Sequence, residues 1–389
     1  MKVSIEVSWK SLNKYGEELC GDKVEILKTP DSDIVILADG MGSGVKANIL
    51  ATLTSKILGT MFLKGEPIDE AVETLASTLP VCKVRGVSYS TFSILQIFRN
   101  GDAYLVEYDN PGCIFVRNGR LMDIPSEERV IGGKKIKEYR FKAQVDDCFV
   151  LMSDGTIYAG VGELLNFGWT WESMADYTLK CVKETRSAAR LAALLSKACD
   201  DLYQQRPGDD TTVAVTRIIR RKEVAIFTGP PEKKEDDARL MKEFMMTEGK
   251  KVVCGGTTSQ IAARYLNEKI RNNTDGTKEI PPTASIRGID LVTEGVLTMS
   301  HALKLLNTFG SDEVDVEFFE ALDADNGAAA LARILIEDCT DVLFFVGRAS
   351  NKENYDNAGL FDISVRKNLV EQFKSVLETM GKNVEIRYY

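Results

Sequence analysis

The chain has 389 residues, 44% of them apolar and 28% charged, with a formal net charge of −9. That length accommodates two domains of ordinary size, and interspersed charges with an acidic balance argue against a general affinity for nucleic acid or an anionic membrane. His301 is the single histidine, which nearly excludes serine–histidine triads and multi-histidine zinc sites. Any metal site must therefore be built from oxygen ligands, the preference of magnesium, manganese and calcium.

No apolar run approaches the roughly 20 residues that cross a bilayer, and MKVSIEVSWK lacks an apolar signal core. A cytoplasmic protein is the expectation. Eight cysteines (Cys20, Cys82, Cys113, Cys148, Cys181, Cys199, Cys254 and Cys339) are scattered without a CxxC pair, and reduced, mostly buried thiols are expected.

Taken in chain order, the first half alternates β-rich runs with turns. A helix is expected after Ser43, a candidate N-cap, because Val45, Ile49, Leu53, Ile57 and Met61 recur at helical spacing. A second helix is read at 67–79. TFSILQIF and AYLVEY flank Asn100-Gly101, and CIFVR and LMDI flank Asn118-Gly119. Asn-Gly between apolar runs signals a hairpin, since both turn residues need positive φ. A further helix is read at 186–203. Helices flanking antiparallel strands make this half α+β.

Near residue 220 the character changes at the basic connector IIRRKE. Candidate strands at 223–227, 251–254, 288–292, 341–346 and 384–388 alternate with helical patterns near 235–247, 258–271, 299–308, 325–338 and 364–380. That alternation predicts a doubly wound, mostly parallel α/β sheet, with the polar, proline-bearing stretch 269–285 as a loop. The expected division is 1–220 and 221–389.

Four acidic segments abut buried runs in the first half. LCGDKVEIL places Asp22, IVILADGMGSG places Asp39 with Gly40, FVLMSDG places Asp154, and PGDDTTVAV places Asp209 and Asp210. Asp-Gly pairs are ordinarily turn residues, but carboxylates at several strand ends can converge on one rim, as magnesium or manganese requires. Glycine after Asp39 would let a backbone carbonyl approach a cation.

These four segments, in this order and spacing, resemble the metal-dependent serine/threonine phosphatases of the protein phosphatase 2C type, in particular the bacterial SpoIIE branch, over residues 10 to 217. The resemblance implies an α-β-β-α sandwich with two Mn²⁺ or Mg²⁺ ions between its sheets. It implies that Asp39 bridges the ions with help from the Gly40 carbonyl, that Asp22 serves one ion, and that Asp154 and Asp209 serve the other. Asp39 and Asp154 are thus the expected catalytic pair. Asp210 stands where many relatives have asparagine. In EYDNPGCIF, where relatives often have histidine, this chain has Asn110, which leaves water to protonate the leaving oxygen. Activated water would attack phosphorus in line, without a covalent enzyme intermediate. Cys82 in PVCKVRG lacks the glycine-rich loop a cysteine phosphatase needs.

The resemblance further implies a phosphorylated regulatory protein as substrate, of the kind that controls anti-sigma factors. No sensor precedes the catalytic segment, so regulation is expected from the second half or a partner. The helix after Asp39-Gly40 is the expected switch element, because tilting it would move a ligand. In the second half, Gly255, Gly256, Thr257 and Thr258 form a glycine–hydroxyl loop between a strand and a helix. Such a loop suits a small anionic ligand or merely a tight turn. Arg348 is a second anion candidate, and His301 is expected to be structural. An enzyme is the leading expectation. The alternative is a catalytically weak docking module whose second domain binds the anion.

Overall fold

The computed structural model describes residues 3–79, 90–162, 164–277, 279–310, 314–349 and 358–389. Cys82 lies outside them. The chain separates into two compact units, Met1–Arg220 and Arg221–Tyr389.

Unit 1 runs β1 (Ser4–Leu12), β2 (Asp22–Lys28), β3 (Ser32–Gly40), α1 (Gly44–Leu63), α2 (Ile68–Thr78), β4 (Ser90–Phe98), β5 (Asp102–Tyr108), β6 (Ile114–Arg117) and β7 (Arg120–Leu121). It continues through β8 (Glu127–Ile131), β9 (Lys134–Lys142), β10 (Cys148–Met152), α3 (Asp154–Ile157), α4 (Trp171–Glu184), α5 (Ala188–Leu202) and β11 (Thr211–Ile219). One sheet has the order β2-β3-β4-β5-β9-β8 and the other β1-β11-β10-β6-β7. Both expected hairpins form, with Gly101 at φ 89° and Asn118 and Gly119 at 52° and 71°. The strand expected from LMDI shrinks to Arg120–Leu121.

Strand periodicity builds the layers. Along β3, Ile34 and Ile36 face a core shared with α1 and α2, while Val35 and Leu37 face the other sheet. Along β10 and β11, Phe149, Leu151 and Ala214 meet that inner core, while Val150, Met152, Val213 and Val215 pack on α4 and α5. Alternate residues of one strand thus fill two interfaces, and the result is the expected α-β-β-α sandwich. Each fully buried aliphatic side chain contributes on the order of 1.5–3 kcal/mol.

Helix α1 departs from the sequence reading. The first part of the stripe that predicted it points outward, with Val45, Ile49 and Leu53 63%, 52% and 44% exposed, while Ile57 and Met61 pack partly buried against the core. Ala47, Leu50, Ala51, Leu58 and Phe62 are buried instead. Small residues decide the face, because Gly40 and Gly59 let the helix lie directly on the sheet. A Cβ at Gly40 would come within 2.1 Å of the Ala47 carbonyl oxygen, and one at Gly59 within 2.6 Å of Leu27 Cδ1. Ser43 occupies the N-cap position without a capping bond; its hydroxyl donates to Glu17 Oε1 at 3.0 Å.

Unit 2 runs β12 (Glu223–Thr228), α6 (Asp237–Met246), β13 (Lys250–Cys254), α7 (Gly256–Leu266), β14 (Arg271–Asn272), β15 (Ala284–Ser285) and β16 (Leu291–Thr293). There follow α8 (Val296–Gly310), α9 (Val316–Leu322), α10 (Gly327–Glu337), β17 (Asp341–Val346), α11 (Ala358–Thr379) and β18 (Asn383–Tyr388). The sheet order is β14-β15-β16-β13-β12-β17-β18, parallel from β16 to β18 and antiparallel at its β14-β15 edge. Two short edge strands and α9 lie where the sequence suggested a loop and no element. Helix α7 ends at Leu266, five residues before the expected end at Arg271, because Asn267 adopts the left-handed conformation that stops it. No helix among the described residues is long and apolar enough to cross a membrane.

Candidate functional site

Register creates the site in unit 1. Asp22 pairs with Asp39 across β2 and β3, and Asp39 pairs with Thr91 across β3 and β4. Directly opposed residues share a face, so Asp22, Asp39 and Thr91 form one row at the sheet's end. Asp154 opens α3 immediately after β10 in the other sheet, and Asp209-Asp210 immediately precede β11.

Hydrogen bonds join the two sheets at this rim. Ser153 donates its hydroxyl to Asp22 Oδ2 at 2.7 Å and accepts the Thr212 N–H at 2.8 Å. Asp210 N–H donates to Asp209 Oδ1, and Lys14 N–H donates to Asp210 Oδ1, each at 3.0 Å. The Lys14 ammonium stands 3.7 Å from Asp209 Oδ1. Thr91 donates to Asn110 Oδ1, and Asn110 Nδ2 donates to Ser93 Oγ at 3.1 Å. The Asn110 amide is thereby fixed beside the acidic row.

Close backbone approach brings the motifs together. A Cβ on Gly155 would lie 2.2 Å from the Asp210 carbonyl oxygen, and one on Gly21 would lie 2.6 Å from Asp210 Oδ2. Gly40 is demanded in the same way by α1, a packing reason distinct from the carbonyl access read in the sequence. Ser90 donates to the Asp39 carbonyl at 2.7 Å.

The electrostatics are those of crowded carboxylates. Burial pushes Asp39 up to about 9, reinforced by repulsion from Asp22, Asp154, Asp209 and Asp210. Burial raises Asp22 to about 7, against hydrogen bonds from Ser153 and Thr212 and with repulsion from Asp210 and Asp154. Asp154 is raised by burial and by Asp209, and Asp210 by burial against the Lys14 and Gly21 N–H groups.

These residues fit a hard divalent cation. Asp22 Oδ1 and Asp210 Oδ2 are buried and lack hydrogen-bond partners, a costly state for carboxylate oxygens that a cation would relieve. The donor set is all oxygen. Among the described residues, however, no three acidic, cysteine or histidine side chains are drawn close enough to form a finished coordination shell. Ser153, Thr212, Lys14 and Gly21 were not singled out in the sequence. The immediate neighbours of the acidic residues (a serine before Asp154, a glycine before Asp22) were the available signal.

In unit 2, Gly255 caps α7 at φ 119° and donates to the Thr293 carbonyl at 2.9 Å. Thr258 is buried and accepts the Gly229 N–H at 3.2 Å, while Ser259 donates to the Gly255 carbonyl at 2.7 Å. Gly256 and Thr257 are exposed. Part of the loop's polar capacity is therefore used internally. Arg348 stacks over the Tyr388 ring, 5.1 Å from its centroid, and His301 lies within α8.

Residues 30–219 match the family model of the Stage II sporulation protein E (SpoIIE). A comparison with curated proteins finds no match. Among solved structures, the chain is similar to the PP2C phosphatase domain with a regulatory-domain fragment of SpoIIE from Bacillus subtilis. The identity is 19% and the TM-score 0.48, with 56% of this chain and 64% of that one covered. It is similar to the RsbU and RsbW domains of a Mycobacterium tuberculosis protein at 17% identity and TM-score 0.46, covering 63% and 69%. It is also similar to RsbX in complex with magnesium at 19% and 0.39, covering 56% and 98%. With TM-scores below 0.5, none of these likenesses bears on what the site does. Three of the four acidic motifs, those of Asp39, Asp154 and Asp209-Asp210, fall within the family match, and Asp22 precedes it: over residues 30–219 the chain is similar to SpoIIE, a PP2C-type phosphatase domain.

Proposed function

We propose that unit 1 is a protein serine/threonine phosphatase that hydrolyses phosphoserine or phosphothreonine in a cytoplasmic bacterial regulatory protein, of the anti-sigma-factor antagonist kind. The observation that carries this reading is the rim of five carboxylates in which Asp22 Oδ1 and Asp210 Oδ2 are buried without partners. Asp22, Asp39, the Gly40 carbonyl, Asp154 and Asp209 would hold two Mn²⁺ or Mg²⁺ ions, with Asp210 as a neighbouring carboxylate. Bound there, the ions would supply positive charge to the phosphoryl oxygens and make water more acidic.

The chain's own residues set the geometry. Ser153 holds Asp22 through its Oδ2 and leaves Oδ1 directed elsewhere. Lys14 N–H orients Asp210 in the same fashion. Asn110, locked by Thr91 and Ser93, can donate a hydrogen bond but not a proton at neutral pH, so the leaving oxygen is protonated by water. Hydrolysis of a chromogenic aryl phosphate in Mn²⁺, and its loss in EDTA, is the test. Full turnover in metal-free buffer refutes the metal-based reading.

A second reading is a phosphatase-fold docking module with weak catalysis. It is favoured by the carboxylates standing apart rather than in a finished shell. Absence of Mn²⁺-dependent turnover at every metal concentration would select it.

For unit 2 we propose that Gly255, Gly256, Thr257 and Thr258 accept a small anionic ligand at the start of α7, and that this ligand regulates unit 1. The support is the exposed Gly256 and Thr257 at a helix start, where N–H groups favour negative charge. Thermal-shift titration with nucleotides, sugar phosphates and carboxylates tests it. A stabilising anion should lose its effect when Gly256 is replaced by Trp, and no shift with any of them discards the site.

A further inference from the structure

One basic residue is built into the acidic rim. Lys14 lies between β1 and β2, with its ammonium 3.7 Å from Asp209 Oδ1 and its side chain 39% exposed. Backbone contacts fix where it stands. Its N–H donates to Asp210 Oδ1 at 3.0 Å, and the N–H of the next residue, Tyr15, donates to the Pro207 carbonyl at 2.8 Å. The Arg206 guanidinium sits over the Tyr15 ring, 5.3 Å from its centroid. The loop carrying Lys14 is thus strapped to the loop carrying Asp209-Asp210, whatever the ammonium does.

We propose that Lys14 is an internal competitor for the cation on the Asp209 side, and that it sets how much Mn²⁺ or Mg²⁺ the protein needs for loading. This rests on the metal-site reading above. An ammonium and a divalent ion seek the same carboxylate oxygens and repel each other. Asp209 therefore serves a cation fully only when the Lys14 side chain has swung away, which its partial exposure and four-carbon stem allow. Until then the ammonium offsets the negative charge of Asp209. Solvent screens the contact, so the competition is moderate, about tenfold in affinity.

The test is isothermal titration of Mn²⁺ into the full chain as wild type, Lys14→Gln, Lys14→Met and Lys14→Arg. Both neutral variants keep the backbone bond to Asp210, and the second covers a failure of the first to fold. The expected result is one binding event about tenfold tighter in the neutral variants, with Lys14→Arg close to wild type. The difference should shrink as salt is raised. Mn²⁺ binding that is unchanged or weaker in the neutral variants overturns the proposal while leaving the metal site standing. Equal tightening in Lys14→Arg assigns the effect to shape rather than charge, and overturns it too. No Mn²⁺ binding by the wild type overturns the metal-site reading itself, and this inference with it.

Discussion

Replacing Asp39 by Asn should stabilise the metal-free protein increasingly as pH rises. Asp39 is pushed up to about 9 from an ordinary value of 3.8 by burial and by its four acidic neighbours. Between pH 5 and pH 8 the folded chain therefore keeps a proton on Asp39 that the unfolded chain has released. A folded state that binds the extra proton loses stability as pH rises, by about 1.4 kcal/mol per pH unit for one proton. Over those three units the loss is about 4 kcal/mol, and Asp22, raised to about 7, adds to it in the lower part of the range. Asn at position 39 has no proton to lose, so Asp39→Asn should flatten most of this slope. The assay is urea unfolding in EDTA followed by tryptophan fluorescence. Trp9, Trp169 and Trp171 are the three tryptophans and all lie in unit 1, so the signal reports the unit that holds the site. A metal-free wild type whose stability is flat or rises from pH 5 to pH 8 would refute the reasoning, as would an equal slope in the variant.

Two further substitutions probe how α1 is seated. Gly40→Ala would drive a methyl against the Ala47 carbonyl at 2.1 Å; it should cost about 2–4 kcal/mol, or shift α1 with a loss of Mn²⁺ affinity, measured by urea unfolding and metal titration. Ile49→Ser, on the exposed face, should change unfolding stability by less than about 0.5 kcal/mol; a loss of several kcal/mol would mean that this stripe is buried after all.

The sandwich was legible because its strands advertise themselves. Asn100-Gly101 and Asn118-Gly119 announced hairpins, and the buried runs ending at Asp39 and Asp154 placed acids at strand ends. The acidic rim was legible for the same reason, although its assembly depends on register, which the sequence does not state. Only the pairing of Asp22 with Asp39 and of Asp39 with Thr91 puts these groups in a row. The buried face of α1 was not legible, because apolar residues recur at helical spacing on two sides. Glycine and alanine packing against β2 and β3 outweighed the larger side chains in choosing between them. Lys14 was missed because its contact spans 195 positions of sequence to Asp209. Short-range patterns carry no trace of such a contact.

The central claim is that Asp39 anchors metal-dependent phosphoryl chemistry rather than a turn. Its most direct test is turnover of a phosphoserine peptide by wild type and Asp39→Asn at saturating Mn²⁺, with phosphate release as the readout. The variant should fold, as judged by circular dichroism, and turn over at least roughly 100-fold more slowly, the scale of losing one charged group from a transition-state clamp. Near-normal turnover by a folded, metal-saturated variant would contradict the account.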